Sequence, residues 1–249
     1  MMTPFDGTFE EAERACGTGY INADLLRLVV AKTIAFRDSP LSTTLTWSAV
    51  PGLIPGLLTL LPKNETLRIL DLGGAAGHHF FDIRSKFPEL NVRWAVLETL
   101  AMTEAARPLE TERLRFFSEA EDALTWLGGV DLIHASGVLQ CLRDPVALLG
   151  SLRQTGAPAM VFSRTICLRD GPIIAIQSSR LTDHGPGPAP AGTPDATVLT
   201  PFVLRPRDEY IEALAPAYQL RARWRDHNAY YSFGGSSLVS QEFLFRLVG

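Results

Sequence analysis

The sequence predicts an α/β fold: a doubly wound, seven-stranded, mostly parallel sheet with an antiparallel last strand and an N-terminal helical cap. Three observations lead there. After Asn64, five short apolar runs alternate with helical stretches, which implies parallel strands covered on both faces. Two late strand-like runs sit on either side of a short loop around "SFGGSS", as an antiparallel hairpin at a sheet edge would. The first 62 residues read as helix.

In chain order, "FEEAERACG" (9–17) reads as a short helix ended by Gly17 and Gly19, and Asn22 caps a second helix through about Phe36. Residues 41–62 supply more helix, interrupted by Pro51, Gly52, Pro55 and Gly56. The apolar runs are LRILDL (67–72), VRWAVL (92–97), LRFF (114–117), VDLIHA (130–135) and AMVFS (159–163). Helical stretches lie between them at 79–87, 101–107, 119–127 and 145–154. The Pro-, Gly- and Ala-rich stretch 182–201 reads as a loop, either a mobile lid or an insertion. "PRDEYIEAL" is then a helix, followed by strands at roughly 218–224 and 240–247. The division that follows is a helical cap over 1–62 and a cofactor-binding domain over 63–249.

The chain of 249 residues, 46% hydrophobic and 20% charged, is long enough for one large core. A net charge of -4 leaves no basic footprint for a nucleic-acid backbone. Cys16, Cys141 and Cys167 are scattered and form no C-x-x-C pair, so neither a disulfide framework nor a zinc site is indicated. A reduced, cytoplasmic setting is expected. "MMTPFDGTFEEAER" is acidic and lacks an apolar signal core. The most apolar stretch, 41–62, is too broken by Pro and Gly to span a membrane.

The first strand-to-helix turn, "RILDLGGAAGHHFF", is where a ligand of a doubly wound sheet is expected. A pyrophosphate reader wants G-x-G-x-x-G. From Gly73 that register puts Ala75 and His78 at the second and third glycine positions, and Asp71 would oppose phosphate charge. A nicotinamide dinucleotide is therefore disfavoured.

The spacing of Asp71, Gly73 and Gly77 resembles the D/E-x-G-x-G-x-G motif of class I S-adenosylmethionine-dependent methyltransferases, with Ala75 in place of the middle glycine. "WAVLET", "RFFSEAED" and "VDLIHASGVLQCLRDP" follow in the family's order. The resemblance implies S-adenosylmethionine as cofactor and assigns it residues. Asp71 would meet the ammonium, directly or through water, Gly73, Gly74 and Gly77 would let the backbone approach, and Glu98 would accept from both ribose hydroxyls. Ser118 or Glu119 would meet the adenine edge, and Ser136 stands at the fourth strand's end beside the sulfonium. Together with "FEEAERACGTGY" and "FSRT", these motifs are similar to a little-characterised bacterial methyltransferase group found with polysaccharide or natural-product genes. That similarity covers roughly residues 9–180.

Further residues carry two readings each. His79, at a helix N-terminus that favours neutral imidazole, is the leading general base, or a packing contact like His78 beside it. His134, inside a central strand, reads as a core histidine, and His184 as a solvated loop residue. Gln140 and Arg164 follow strand ends and read as acceptor-binding groups, or as a turn contact and a structural ion pair. Tyr20 shields the same pocket or packs, and Arg37 reaches the cofactor carboxylate from the cap. No metal is expected. The expected reaction is O-methylation of a small polar molecule, with N-methylation or a non-catalytic cofactor-binding scaffold as alternatives. No nucleic acid or membrane partner is expected, and a homodimer is left open.

Overall fold

The computed structural model describes residues 1–39, 50–60, 66–233 and 236–249. β1 (Met2–Pro4) leads into α1 (Phe9–Cys16), which opens on a capping box between Thr8 and Glu11. Asn22 caps α2 (Ala23–Asp38), its Oδ1 accepting from the N–H groups of Asp24 and Leu25. α3 (Val50–Leu58) precedes the alternating region. There β2 (Leu67–Leu72), α4 (His78–Lys86), β3 (Val92–Leu97), α5 (Leu100–Ala106) and β4 (Leu114–Phe117) follow one another, then α6 (Ala120–Leu127), β5 (Leu132–Ser136), α7 (Pro145–Leu152) and β6 (Ala159–Thr165). The rest is β7 (Cys167–Leu168), β8 (Ile173–Arg180), β9 (Thr197–Pro206), α8 (Arg207–Leu214), β10 (Tyr218–Phe233) and β11 (Ser236–Leu247).

One sheet takes them in the order β4-β3-β2-β5-β6-β11-β10-β1-β8-β9-β7. Its first seven strands are the expected ones. β2 to β6 run parallel, and β11 lies antiparallel between β6 and β10. Strand order reverses between β2 and β5, which opens the ligand crevice at their carboxyl ends.

The remaining four strands widen this sheet. The stretch 182–201 is not loop throughout: β9 begins at Thr197 and pairs antiparallel with β8 from Arg180↔Thr197 to Ile173↔Leu204. Pro201 is tolerated because β7 reaches β9 only at Arg205 and Pro206, so Pro201 needs no N–H for an outer partner. The N-terminal segment is not purely helical either, because β1 pairs with β8 and touches β10 at Met2↔Phe233. The division at residue 62 and helix over 40–49 lie outside the described residues.

Helices α2, α3, α4 and α5 cover one face around Leu25, Leu53, Leu57, Phe80, Trp94 and Met102. Helices α6, α7 and α8 cover the other around Leu127, Leu149, Phe162, Tyr210 and Leu214. Gly52 and Gly56, one helical turn apart, let α3 lie directly on the sheet. A Cβ on Gly56 would come within 2.5 Å of Val161 Cγ2, and one on Gly52 within 2.3 Å of Ser163 Oγ. Among the described residues no helix is long and apolar enough to cross a membrane.

The root of the Pro-rich connection is bolted down. Lys32 on α2 is 2% exposed, and its Nζ donates to the carbonyls of Thr182 (3.0 Å) and His184 (2.7 Å). Gly185 rests against Val29 and Lys32. Those contacts hold the start of the stretch against α2. Lys32→Met removes both charged donors, each worth about 1.5–3 kcal/mol. It should raise hydrogen exchange across 181–186 at least about tenfold while leaving β2 to β6 unchanged, as read by mass spectrometry.

Candidate active site

The turn from β2 into α4 is tight and left-handed. Gly73 has φ 61 and Gly77 has φ 76. A Cβ on Gly73 would lie 2.4 Å from Val138 Cγ2, and one on Gly74 2.4 Å from Asp71 Oδ2, so bare backbone is required at both. Ala75, at the family's middle glycine, keeps the left-handed backbone at φ 49. Its N–H donates to Glu98 Oε1 at 3.2 Å, and the Thr99 N–H donates to Glu98 Oε2 at 2.8 Å. Glu98 thus stands fixed beside the turn at the end of β3. Burial raises its pKa, against the pull of those two N–H donors.

Asp71 does not face the crevice. It is fully buried, and its carboxylate is engaged by three side chains. Trp94 Nε1 donates to Oδ2 at 3.1 Å, His79 Nδ1 stands 3.0 Å from Oδ2, and His134 Nδ1 stands 2.9 Å from Oδ1. With those three partners the acid lies beneath Gly74 and supports the turn from inside. Burial alone would raise its pKa, but His79 and His134 hold it below the ordinary carboxylate value. Asp71, His79 and His134 bring three possible metal-ligand atoms within 4.8 Å of one another. Separations of 2.9 and 3.0 Å are hydrogen-bond lengths, and an ion would have to displace both protons.

His79 is 4% exposed, with its ring 4.0 Å from that of the half-buried His78 and 4.9 Å from that of His134. His134 is the buried core histidine expected, but it belongs to this polar cluster. Its signal is legible afterwards: Asp71 and His134 are register partners on adjacent buried strands.

On the acceptor side the structure brings together Tyr20, Gln140 and Arg164, and adds Cys141 and His184. Gln140 is 1% exposed and its Nε2 donates to the carbonyls of Gly137 (3.0 Å) and Arg164 (3.2 Å), so it clasps main chain. Tyr20 shows its ring to solvent and turns its hydroxyl inward, 3.9 Å from Cys141 Sγ. Burial raises the pKa of that hydroxyl and pushes the Cys141 thiol up to about 12. His184 is not a solvated residue: its Nε2 lies 2.8 Å from Ser179 Oγ, and its ring meets Tyr20 edge-on at 5.9 Å.

The other expected residues divide. Ser136 has a buried Oγ without a hydrogen-bond partner at the end of β5. Ser118 is half-buried after β4, and Glu119 is exposed. Arg37 is exposed on α2, its Nε donating to Asp38 at 2.7 Å.

These burials set a pH dependence. Burial lowers the pKa of His78, His134 and His184. Below about 6.5 the unfolded chain binds protons that the folded state refuses, so this stability is present above that pH and lost as pH falls. The depressed Asp71 gives the same sign, lost only below the unfolded carboxylate value of about 3.9. The melting temperature should therefore fall from pH 7.5 to pH 5 in calorimetry; a rise on acidification contradicts the buried neutral histidines.

No family model matches the chain, and comparison with curated proteins finds no match. Solved structures do. A Burkholderia thailandensis 1,6-didemethyltoxoflavin-N1-methyltransferase, 17% identical, covers 99% of this chain and 92% of its own, with a TM-score of 0.51. A LepI variant solved with S-adenosylhomocysteine and a substrate analogue is 13% identical over 87% of this chain, with a TM-score of 0.51. A protein described as a pericyclic reaction enzyme is 14% identical over 87% of this chain, with a TM-score of 0.50. The chain spans about half, 51%, of the length of these last two. At such identities the likeness establishes architecture. With its strand order and its antiparallel β11, the chain has the fold of the class I S-adenosylmethionine-dependent methyltransferases.

Proposed function

We propose that the protein is an S-adenosylmethionine-dependent methyltransferase that O-methylates a small polar acceptor, a sugar or a natural-product intermediate. Glu98 carries this reading. A carboxylate fixed by two main-chain N–H groups beside a glycine turn, at the end of the strand after it, suits a ribose diol. The neighbours support it, since one is named as a methyltransferase and two were solved with S-adenosylhomocysteine.

Bound S-adenosylmethionine supplies an electrophilic methyl group on sulfonium. The chain's own residues hold and orient. Gly73, Gly74 and Gly77 provide the close backbone, Glu98 the diol contact, Ser118 and Glu119 the adenine end, and Ser136 a buried, unpartnered hydroxyl. Asp71 acts through its partners. Tyr20 and Arg164 face the acceptor, and rate depends mainly on holding it in line in a site that excludes water. His79 is the proposed base: with Nδ1–H given to Asp71, Nε2 keeps its lone pair for the acceptor proton.

A second reading, cofactor binding without methyl transfer, is favoured by the 4% exposure of His79 and by the pericyclic enzyme of the same fold. A small-molecule partner and a cytoplasmic setting belong to the proposal, the first supported by the net charge of -4 and the second by the three free cysteines.

Calorimetry should detect S-adenosylhomocysteine binding to the parent protein. Glu98→Ala should weaken it at least about tenfold, from the loss of one or two charge-assisted hydrogen bonds. A parent protein that binds no S-adenosylhomocysteine overturns both readings. Release of S-adenosylhomocysteine from S-adenosylmethionine in the presence of acceptor separates the first from the second.

A further inference from the structure

β6 is buried along its length except at Arg164. There the backbone turns left-handed, at φ 53, a conformation that residues with a branched or long side chain avoid. Pairing with β11 slips at the same point: Thr165 faces Gln241, while Phe162 faces Phe243. Ser163 and Arg164 together thus stand against Glu242, a bulge of the kind that re-aims a side chain. Two side chains from other elements hold it. The Arg164 N–H donates to Glu242 Oε1 at 3.1 Å, and the Arg164 carbonyl accepts from Gln140 Nε2 at 3.2 Å.

Gln140 and Glu242 are 1% and 5% exposed. Two buried polar side chains fixing one strained residue are out of proportion for an ordinary surface arginine, and glycine or asparagine would relieve the strain at once. The arginine is where it is for its side chain. Its stem crosses Gly137, whose added Cβ would lie 3.8 Å from the guanidinium carbon. Its charge is felt by Tyr20, Cys141, His78 and His184, groups that burial keeps neutral. A planar cation with a fixed backbone and a fork of N–H donors is suited to bidentate recognition of an anion.

We propose that Arg164 reads an anionic group, a carboxylate or a phosphate, on the acceptor, and that Gln140 and Glu242 are positioning residues that hold its backbone in the bulge. The proposal rests on the methyltransferase reading for what happens at the site, but its anion chemistry can be measured alone.

The test titrates inorganic phosphate, and separately acetate, into the protein with and without S-adenosylhomocysteine, by calorimetry. The parent should bind at least one of them; the stronger identifies the acceptor's group. Arg164→Ala and Arg164→Gly should weaken that binding at least about tenfold, and Arg164→Lys less. Glu242→Gln keeps an acceptor for the Arg164 N–H and should retain anion affinity, whereas Glu242→Ala and Gln140→Leu should lose severalfold. S-adenosylhomocysteine affinity should stay at the parent value throughout, so its absence would sink the cofactor reading separately. Arg164→Gly also relieves the left-handed strain and should hold or raise the melting temperature. A fall of more than about 4 °C means that the side chain serves the fold and overturns the proposal. So does anion affinity that is absent in the parent or unchanged in Arg164→Ala.

Discussion

A carboxylate buried in the middle of the sheet is the constraint around which the cofactor end is organised. Asp71 has no contact with solvent, and an isolated charge there would cost several kcal/mol. It persists because β3 supplies Trp94, β5 supplies His134 and α4 supplies His79. Each donor comes from a different element, so the cluster ties the two central neighbours of β2 and the following helix to one side chain. Asp71 also dictates Gly74, because its Oδ2 occupies the place a Cβ would need. The acid and the glycines of the motif are thus one packing solution, and the ligand crevice lies above it.

That link explains what was legible. β2, β3 and β4 occur at the residues expected, since short apolar runs bounded by polar turns encode buried parallel strands locally. Glu98 was legible because its place at a strand end is a local property. Asp71's partners were not: His134 is 63 positions away, and only the β2–β5 register brings it close. β8 and β9 were missed for a similar reason. Pro201 and the Pro-rich run before it read as loop until the open flank of β9 is known. Glu242 depends on the β6–β11 register, which no local pattern records.

The two halves of the crevice have different origins. The cofactor side is built from β2 to β5, which belong to the seven-strand core. The other side, where the proposed acceptor would lie, draws on Tyr20 after α1, on His184 before β9, and on the bulge in β6, with Lys32 pinning the connection. Fold likeness reaches the first half and only part of the second, where β6 belongs to the core while Tyr20 and His184 come from outside it.

Ala75 and Arg164 are the two described non-glycine residues with left-handed φ, and they flank the crevice from opposite sides. Each has its N–H taken by a carboxylate: Glu98 for Ala75 at 3.2 Å, Glu242 for Arg164 at 3.1 Å. Strain of this kind persists only where surroundings over-determine it. For Glu98 this joins two tasks in one group. Each carboxylate oxygen has two acceptor sites, so the main-chain bonds from Ala75 and Thr99 do not by themselves fill either oxygen. Under the proposed function the remaining acceptor capacity would meet the ribose diol, and the hydrogen bonds that keep the turn in its strained form also set the direction in which the carboxylate points.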